Sequence, residues 1–124
     1  MEHNECIIDA VEREVLEETG RVFTPTAFIG SYFLSPATNG KHYLRMCFCG
    51  DVDTEQQAAP LDPDILTTHW LTLEQICQRK QQLRSALVLK SLDDYLAGLR
   101  YPLQQFHFTR DENHLAQVCY NRLI

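Results

Sequence analysis

Glu5-Cys6-Ile7-Ile8-Asp9-Ala10-Val11-Glu12-Arg13-Glu14-Val15-Leu16-Glu17-Glu18-Thr19-Gly20 is the stretch on which the reading of this chain turns. Apolar residues recur at Ile7, Ile8, Ala10, Val11 and Val15, and a glycine closes the run. The spacing predicts an amphipathic helix from about Glu5 to Thr19, stopped by Gly20 in the left-handed conformation. At about 100° of rotation per residue, Glu14, Glu17 and Glu18 share an arc of roughly 100°. They lie along the edge of the apolar stripe rather than on the solvent side. Like charges so placed repel by roughly a few tenths of a kcal/mol per pair when exposed and by more when desolvated. A cation is needed to offset them. Mg²⁺ or Mn²⁺ is the natural one, because carboxylate oxygens are its preferred protein ligands and substrate phosphates complete its shell. The competing reading, a solvated acidic face, is disfavoured by the position of the three glutamates against the core.

The spaced set Glu5, Arg13-Glu14, aliphatic Val15, Glu17-Glu18 and Gly20 resembles the Nudix box, the signature of enzymes that hydrolyse nucleoside diphosphates linked to another group. The family pattern opens with a glycine six residues before the first glutamate, a position ahead of Met1. It also prefers an apolar residue where this chain has Arg21, with Val22 following. The resemblance runs over about residues 2–103. Phe28-Ile29-Gly30-Ser31-Tyr32, Tyr43-Leu44-Arg45-Met46-Cys47-Phe48, Trp70-Leu71, Leu83-Arg84-Ser85-Ala86-Leu87-Val88 and Gly98-Leu99-Arg100-Tyr101-Pro102-Leu103 are similar to a group of bacterial phosphatases within that family. Residues 104–124 carry no such likeness and read as a variable tail. The resemblance implies an α+β fold, an α/β/α sandwich with a mixed β-sheet between helices, as a single domain over residues 1–124 that lacks some N-terminal strands.

It also implies a mechanism, metal-assisted hydrolysis of a phosphoanhydride. Glu14, Glu17 and Glu18 are the expected ligands of Mg²⁺, or Mn²⁺, with Glu14 alternatively taking the proton of the attacking water. Glu5 and Arg13 are expected to orient those carboxylates, since a guanidinium pairs bidentately with a carboxylate and fixes its direction. A further acidic ligand is expected from the loop at 53–64, where Glu55, Asp62 and Asp64 are available. The implied substrates are small molecules: nucleoside tri- and diphosphates, and pyrophosphates of thiamine and of its hydroxymethylpyrimidine precursor. A non-catalytic binding or regulatory module of the same lineage is the alternative. An acidic interaction domain unrelated to hydrolysis has only the net charge behind it.

Composition alone bounds the chain to one globular domain of ordinary make-up: 124 residues, 44% hydrophobic and 23% charged. A net charge of −6 argues against a nucleic-acid partner, which requires a basic surface. The start shows no basic region followed by an apolar core, and no apolar run approaches the roughly 18 residues of a membrane span. The five cysteines, Cys6, Cys47, Cys49, Cys77 and Cys119, are odd in number and scattered among apolar residues, which suits reduced thiols in a cytoplasm. Cys47 and Cys49 share a strand face without a second ligand pair, and read as small buried hydrophobes.

Beyond the first helix, Pro25 marks a loop, residues 27–34 and 43–52 read as strands, and Ser35-Pro36-Ala37-Thr38-Asn39-Gly40 supplies the turn of a β-hairpin. In the second arm Leu44, Met46 and Phe48 alternate with Tyr43, Arg45 and Cys47, so one face should pack on the core. Arg45 is a candidate for holding phosphate. Tyr32, Phe33 and Tyr43 are candidates for stacking on a substrate ring, although strand aromatics are more often core. Thr67–Leu71 reads as a short strand, Thr72 and Gln75 as a capping box for a helix to about Arg79, and residues 84–98 as another helix with Leu87, Leu92, Tyr95 and Leu96 apolar. The five histidines, His3, His42, His69, His107 and His114, show no metal spacing. No Gly-x-Ser-x-Gly, Walker loop or dinucleotide glycine pattern occurs, so covalent catalysis is not expected. A sheet with open edges is expected to give homo-oligomers.

Overall fold

The structure, a computed structural model, describes residues 5–36, 39–53, 70–82, 86–109 and 116–118. Their order is α1 (Ile7–Thr19), β1 (Phe23–Leu34), β2 (Tyr43–Val52), α2 (Leu73–Gln78), α3 (Ala86–Leu96), β3 (His107–Thr109) and β4 (Ala116–Val118), with short 3₁₀ turns at Lys80–Gln82 and Leu103–Gln105. The fold class is α+β. β1 pairs with β2, and β3 with β4. The expected acidic ligands Glu55, Asp62 and Asp64, and most of the strand expected at Thr67–Leu71, lie outside the described residues; Trp70 and Leu71 carry no strand.

The chain divides into two compact units. The first holds α1, the opening of β1 through Ala27, the end of β2 from Gly50, and the chain from Pro102 onward. Within it α1 is held by Ile8, fully buried, and Ala10, while Cys6 is buried at its N-cap. Gly20 ends the helix at φ 73°, its N–H donating to the Leu16 carbonyl at 2.9 Å. That left-handed cap is the one the sequence predicts. Thr19 Oγ1 donates to the Val15 carbonyl and accepts from the Arg21 N–H, tightening the last turn. Arg21, the departure from the family pattern, has a local reason: Nη1 donates to the Asp53 carbonyl at 3.1 Å while the Asp53 N–H donates to the Val22 carbonyl at 3.0 Å. The cation thus ties the start of β1 to the end of β2.

Pro25 lies in β1 and is buried, not in a loop. Proline lacks a ladder donor and survives only near a strand's start or edge, and it stands third in β1. Gly50 allows the close approach there, because a Cβ on it would lie 2.1 Å from the Thr24 carbonyl oxygen.

The second unit holds Phe28–Cys49 and the described chain from Trp70 to Tyr101. Phe28 and Ile29 are both buried although adjacent strand residues point to opposite faces. β1 is therefore covered on both faces at that point. Phe28 exchanges two backbone hydrogen bonds with Tyr101, at 2.8 and 2.9 Å, and its ring packs on Phe48 with centroids 5.1 Å apart. In β2 the alternation fails at the turn end: Leu44 is exposed, and Met46 and Phe48 are half-buried. Cys47 and Cys49 are also half-buried rather than buried. Thr72 and Gln75 form the predicted capping box reciprocally, at 2.8 and 3.2 Å. α3 ends at Leu96, two residues before the end the sequence predicts, and Tyr95 and Leu96 are exposed there. Gly98 at φ 86° follows, with the Leu99 N–H on the Asp94 carbonyl.

The stretch predicted as a tail carries the β3–β4 ribbon, antiparallel, with His107 opposite Val118 and Thr109 opposite Ala116.

Candidate active site

The first unit gathers five of the eight residues singled out in the sequence, and Arg13 is their centre. Its Nε and Nη2 donate to the two carboxylate oxygens of Glu5 at 2.8 and 3.2 Å, a bidentate fork across eight residues. Its Nη1 donates to Glu17 Oε2 at 2.9 Å, and Nη2 stands 3.7 Å from Glu14 Oε1. One guanidinium therefore touches three carboxylates. Glu5 is the most enclosed of them, with 13% of its side chain exposed, against 43% for Glu17 and 53% for Glu14. The burial order sets the roles: Glu5 anchors the arginine from the helix start, and the arginine steadies the carboxylates on the solvent side. Glu18, like Glu14, is exposed, so these two stand on the solvent side rather than at the core edge where the helical spacing placed them.

Glu14, Glu17 and Glu18 offer hard oxygen donors of one sign on one helix edge, a donor set suited to Mg²⁺ or Mn²⁺. Arg13 on two of them demonstrates that this edge collects positive charge. Among the described residues no three His, Cys, Asp or Glu side chains converge on a common point, and Glu17 Oε2 is engaged by Arg13. The residues fit a hard divalent ion in chemistry, and Glu17 is the carboxylate whose direction the protein already controls.

A cavity of about 400 Å³ also lies in this unit, lined by Asp9, Glu12, Arg13, Leu16, Val22 and Phe23. Glu14, Glu17 and Glu18 are not among its lining residues. Burial raises the pKa of Glu12 above the usual carboxylate value.

The remaining three residues belong to the second unit. Tyr32 is buried, and its hydroxyl donates to Asp94 Oδ2 at 2.7 Å, while Lys90 Nζ donates to Asp94 Oδ1 at 2.9 Å. Burial, then the Asp94 carboxylate, pushes the Tyr32 pKa far up; the Tyr32 hydroxyl, then the Lys90 ammonium, pulls that of Asp94 down. Tyr32 thus ties β1 to α3. Tyr43 is exposed, with its hydroxyl accepting from Asn39 Nδ2 at 2.6 Å. Arg45 is half-buried on β2, and its charge lowers the Cys47 pKa against the larger raising effect of burial.

Beside Tyr43 the structure places a pair that spacing did not reveal: the rings of Phe33 and His42 stack. The signal was present only as two strand residues flanking one turn, since cross-strand partners meet through the hairpin rather than through sequence distance.

The NUDIX domain family model matches residues 1–92. Phosphatase NudJ of Escherichia coli is 34% identical over 105 residues, which cover 84% of this chain and 67% of that protein. Phosphatase NudJ of Shigella flexneri is similar to the same extent, 34% over 105 residues. Among solved structures, a NUDIX hydrolase from Nitrosomonas europaea superimposes with a TM-score of 0.81 at 39% identity, over 87% of this chain and 73% of that one.

Proposed function

The chain belongs to the Nudix family of hydrolases, and from that premise we propose that it is a divalent-metal-dependent phosphatase acting on small phosphoanhydrides. The substrates are nucleoside tri- and diphosphates, with the pyrophosphates of thiamine and of its hydroxymethylpyrimidine precursor as a second class; the likeness to phosphatase NudJ supports this choice. The observation that carries the reading is Arg13, bridging Glu5 and Glu17 through three hydrogen bonds in the box helix. A helix with a merely solvated acidic face has no use for a fork that fixes one carboxylate by means of another.

Glu14, Glu17 and Glu18 would hold Mg²⁺ or Mn²⁺, which when bound supplies charge neutralisation at the phosphates and acidifies water. Glu5 holds Arg13, and Arg13 sets the direction of Glu17. A Glu14 carboxylate oxygen takes the proton of the attacking water as the new O–P bond forms and the anhydride P–O bond breaks. By their chemistry alone, half-buried Arg45 and exposed Tyr43 on β2 remain candidates for contact with a phosphate and with a substrate ring. Tyr32 has a different duty, because its body is buried and its hydroxyl serves Asp94. Cys6, Cys47, Cys49 and Cys77 stand outside disulfides, which supports a reducing, cytoplasmic setting. No helix among the described residues is long and apolar enough to cross a membrane.

The test is phosphate release from nucleotides and thiamine diphosphate with Mg²⁺, comparing the chain with its Glu17→Gln variant. Release is expected to fall by at least about a hundredfold in the variant, the scale of losing a metal ligand or its support. Equal release in both would remove Glu17 from the mechanism. A second reading, a Nudix module that binds without turning over, is favoured by one observation: no three ligating side chains converge among the described residues. A folded chain that binds Mg²⁺ and nucleotide yet releases no phosphate would establish it.

A further inference from the structure

The β1–β2 turn carries a reactive step of sequence that no role above uses. Asn39 is followed by Gly40, whereas Asn4, Asn113 and Asn121 precede larger residues. Asn-Gly suits a tight turn because both residues tolerate positive φ, and Gly40 takes it at φ 79°. The same pair can also react with itself, since no side chain on the glycine hinders its nitrogen from closing on the asparagine amide. The folded turn leaves that reaction open. Asn39 and Gly40 are both exposed. The flank of Gly40 is open space, with nothing within 4 Å of where a Cβ would stand. Its N–H makes no hydrogen bond among the described residues. The Asn39 amide, by contrast, is held at both ends. Oδ1 accepts from the Lys41 N–H at 3.0 Å, and Nδ2 donates to the Tyr43 hydroxyl at 2.6 Å. The Lys41 N–H polarises the amide carbonyl and stands where negative charge builds on Oδ1 when a nucleophile adds to Cγ. The Tyr43 hydroxyl touches the nitrogen that must leave, and a phenol can give it a proton.

We propose that Asn39-Gly40 is a self-modifying site, which deamidates in the folded chain with water as its co-substrate. The Gly40 nitrogen loses its proton to solvent base and adds to Asn39 Cγ, forming a C–N bond. The Cγ–Nδ2 bond then breaks, and the nitrogen leaves as ammonia with a proton from Tyr43, which regains one from water. Water adds to either carbonyl of the resulting succinimide. The ring C–N bond at that carbon breaks, the nitrogen takes back a proton, and a carboxylate remains. Opening at Cγ gives aspartate, and opening at the main-chain carbonyl gives isoaspartate; nothing is oxidised or reduced. Residues 28–49 contain no Asp or Glu and carry Lys41 and Arg45, so the product is the first negative charge in the hairpin. The Tyr43 hydroxyl then changes from acceptor to donor. Isoaspartate also adds a backbone carbon to the turn that sets the register of β1 against β2.

The test follows ammonia release from the intact chain in neutral and mildly alkaline buffer, and from the same chain unfolded in guanidinium chloride. Isoelectric focusing and peptide masses locate the new acid. Asn39→Ser, a change at an exposed position, serves as the blank. Release is expected from the folded parent, no slower than from the unfolded one, rising with pH because the attacking nitrogen must lose a proton. It is expected to be lost in Asn39→Ser. Tyr43→Phe should slow release from the folded chain roughly tenfold, a small part of what a positioned acid gives in an enzyme, and leave the unfolded rate unchanged. A folded parent that keeps the Asn39 amide, or loses it more slowly than the unfolded chain, overturns the proposal. So does a folded Tyr43→Phe that releases ammonia as fast as the parent.

Discussion

At Arg13 the difference between charge and shape can be measured. Lysine there keeps the positive charge but not the planar fork that meets both oxygens of Glu5 while reaching Glu17. Arg13→Lys is expected to lower kcat by about 10–100-fold, the range for loss of a group that orients a ligand; unchanged turnover would leave the fork as an ordinary surface ion pair. The Tyr32–Asp94 bond makes a second prediction, in pH. The Asp94 pKa is depressed by the Tyr32 hydroxyl and Lys90, so its contribution to stability is present above the ordinary carboxylate value of about 3.9 and is lost as pH falls through its lowered folded value. The Tyr32 pKa is raised, so its contribution is present below about 10 and is lost as pH rises through the raised one. Thermal midpoints of Tyr32→Phe against pH should therefore decline less steeply than those of the parent on both flanks. The parental profile in the variant would show that the bond carries no linkage. The box residues were legible because their spacing is local to one helix. The Phe33–His42 stack was not, since it depends on how two strands register across a turn.

Elements whose signals are closed within a few residues came through intact. Gly20 terminates α1 at φ 73°, and Gly20→Ala is expected to cost roughly 1–2 kcal/mol in chemical denaturation, the penalty of a side chain in the left-handed region. Thr72 and Gln75 cap α2 reciprocally, so Thr72→Ala should cost about 1 kcal/mol by the same measurement. Values near zero would show that these ends fray at no expense. The strand β2 was also legible in its bounds, through its aromatic and apolar run from Tyr43 to Val52. The misreadings arose where the decision lies outside the segment. Pro25 reads as a breaker until Gly50 is found opposite Thr24, making room for the approach. Leu44 belongs to a correct alternation, but alternation says which residues share a face and not how far the cover extends. At the turn end it does not reach Leu44.

For the molecule as a whole, ion binding and association are the two open quantities. A ligand that binds only the folded chain stabilises it by about 2.7 kcal/mol at a hundred times its dissociation constant. Mg²⁺ is therefore expected to raise the unfolding midpoint of the parent and to leave Glu17→Gln nearly unmoved; equal shifts in both would place the ion elsewhere. Phe33, Leu44, Trp70, Tyr95, Leu96 and Tyr101 are large apolar side chains left exposed. Concentration-dependent self-association is expected in sedimentation velocity, and a single slow species at every concentration would contradict it.

The division of the chain into units has a further bearing on biosynthesis. The unit carrying α1 is drawn from the start of the chain, from the stretch beginning at Gly50 and from Pro102 onward, while the other is complete at Tyr101. A ribosome therefore delivers every residue of the Tyr32–Asp94 unit while the box helix still waits for partners that have not been translated. The glutamates are translated before Tyr32 and are expected to settle after it, a long-range closure that is slow by its topology. Nascent chains arrested at increasing lengths and probed with protease should gain protection around Tyr32 before they gain it around Arg13; the reverse order would mean that α1 docks without its later partners.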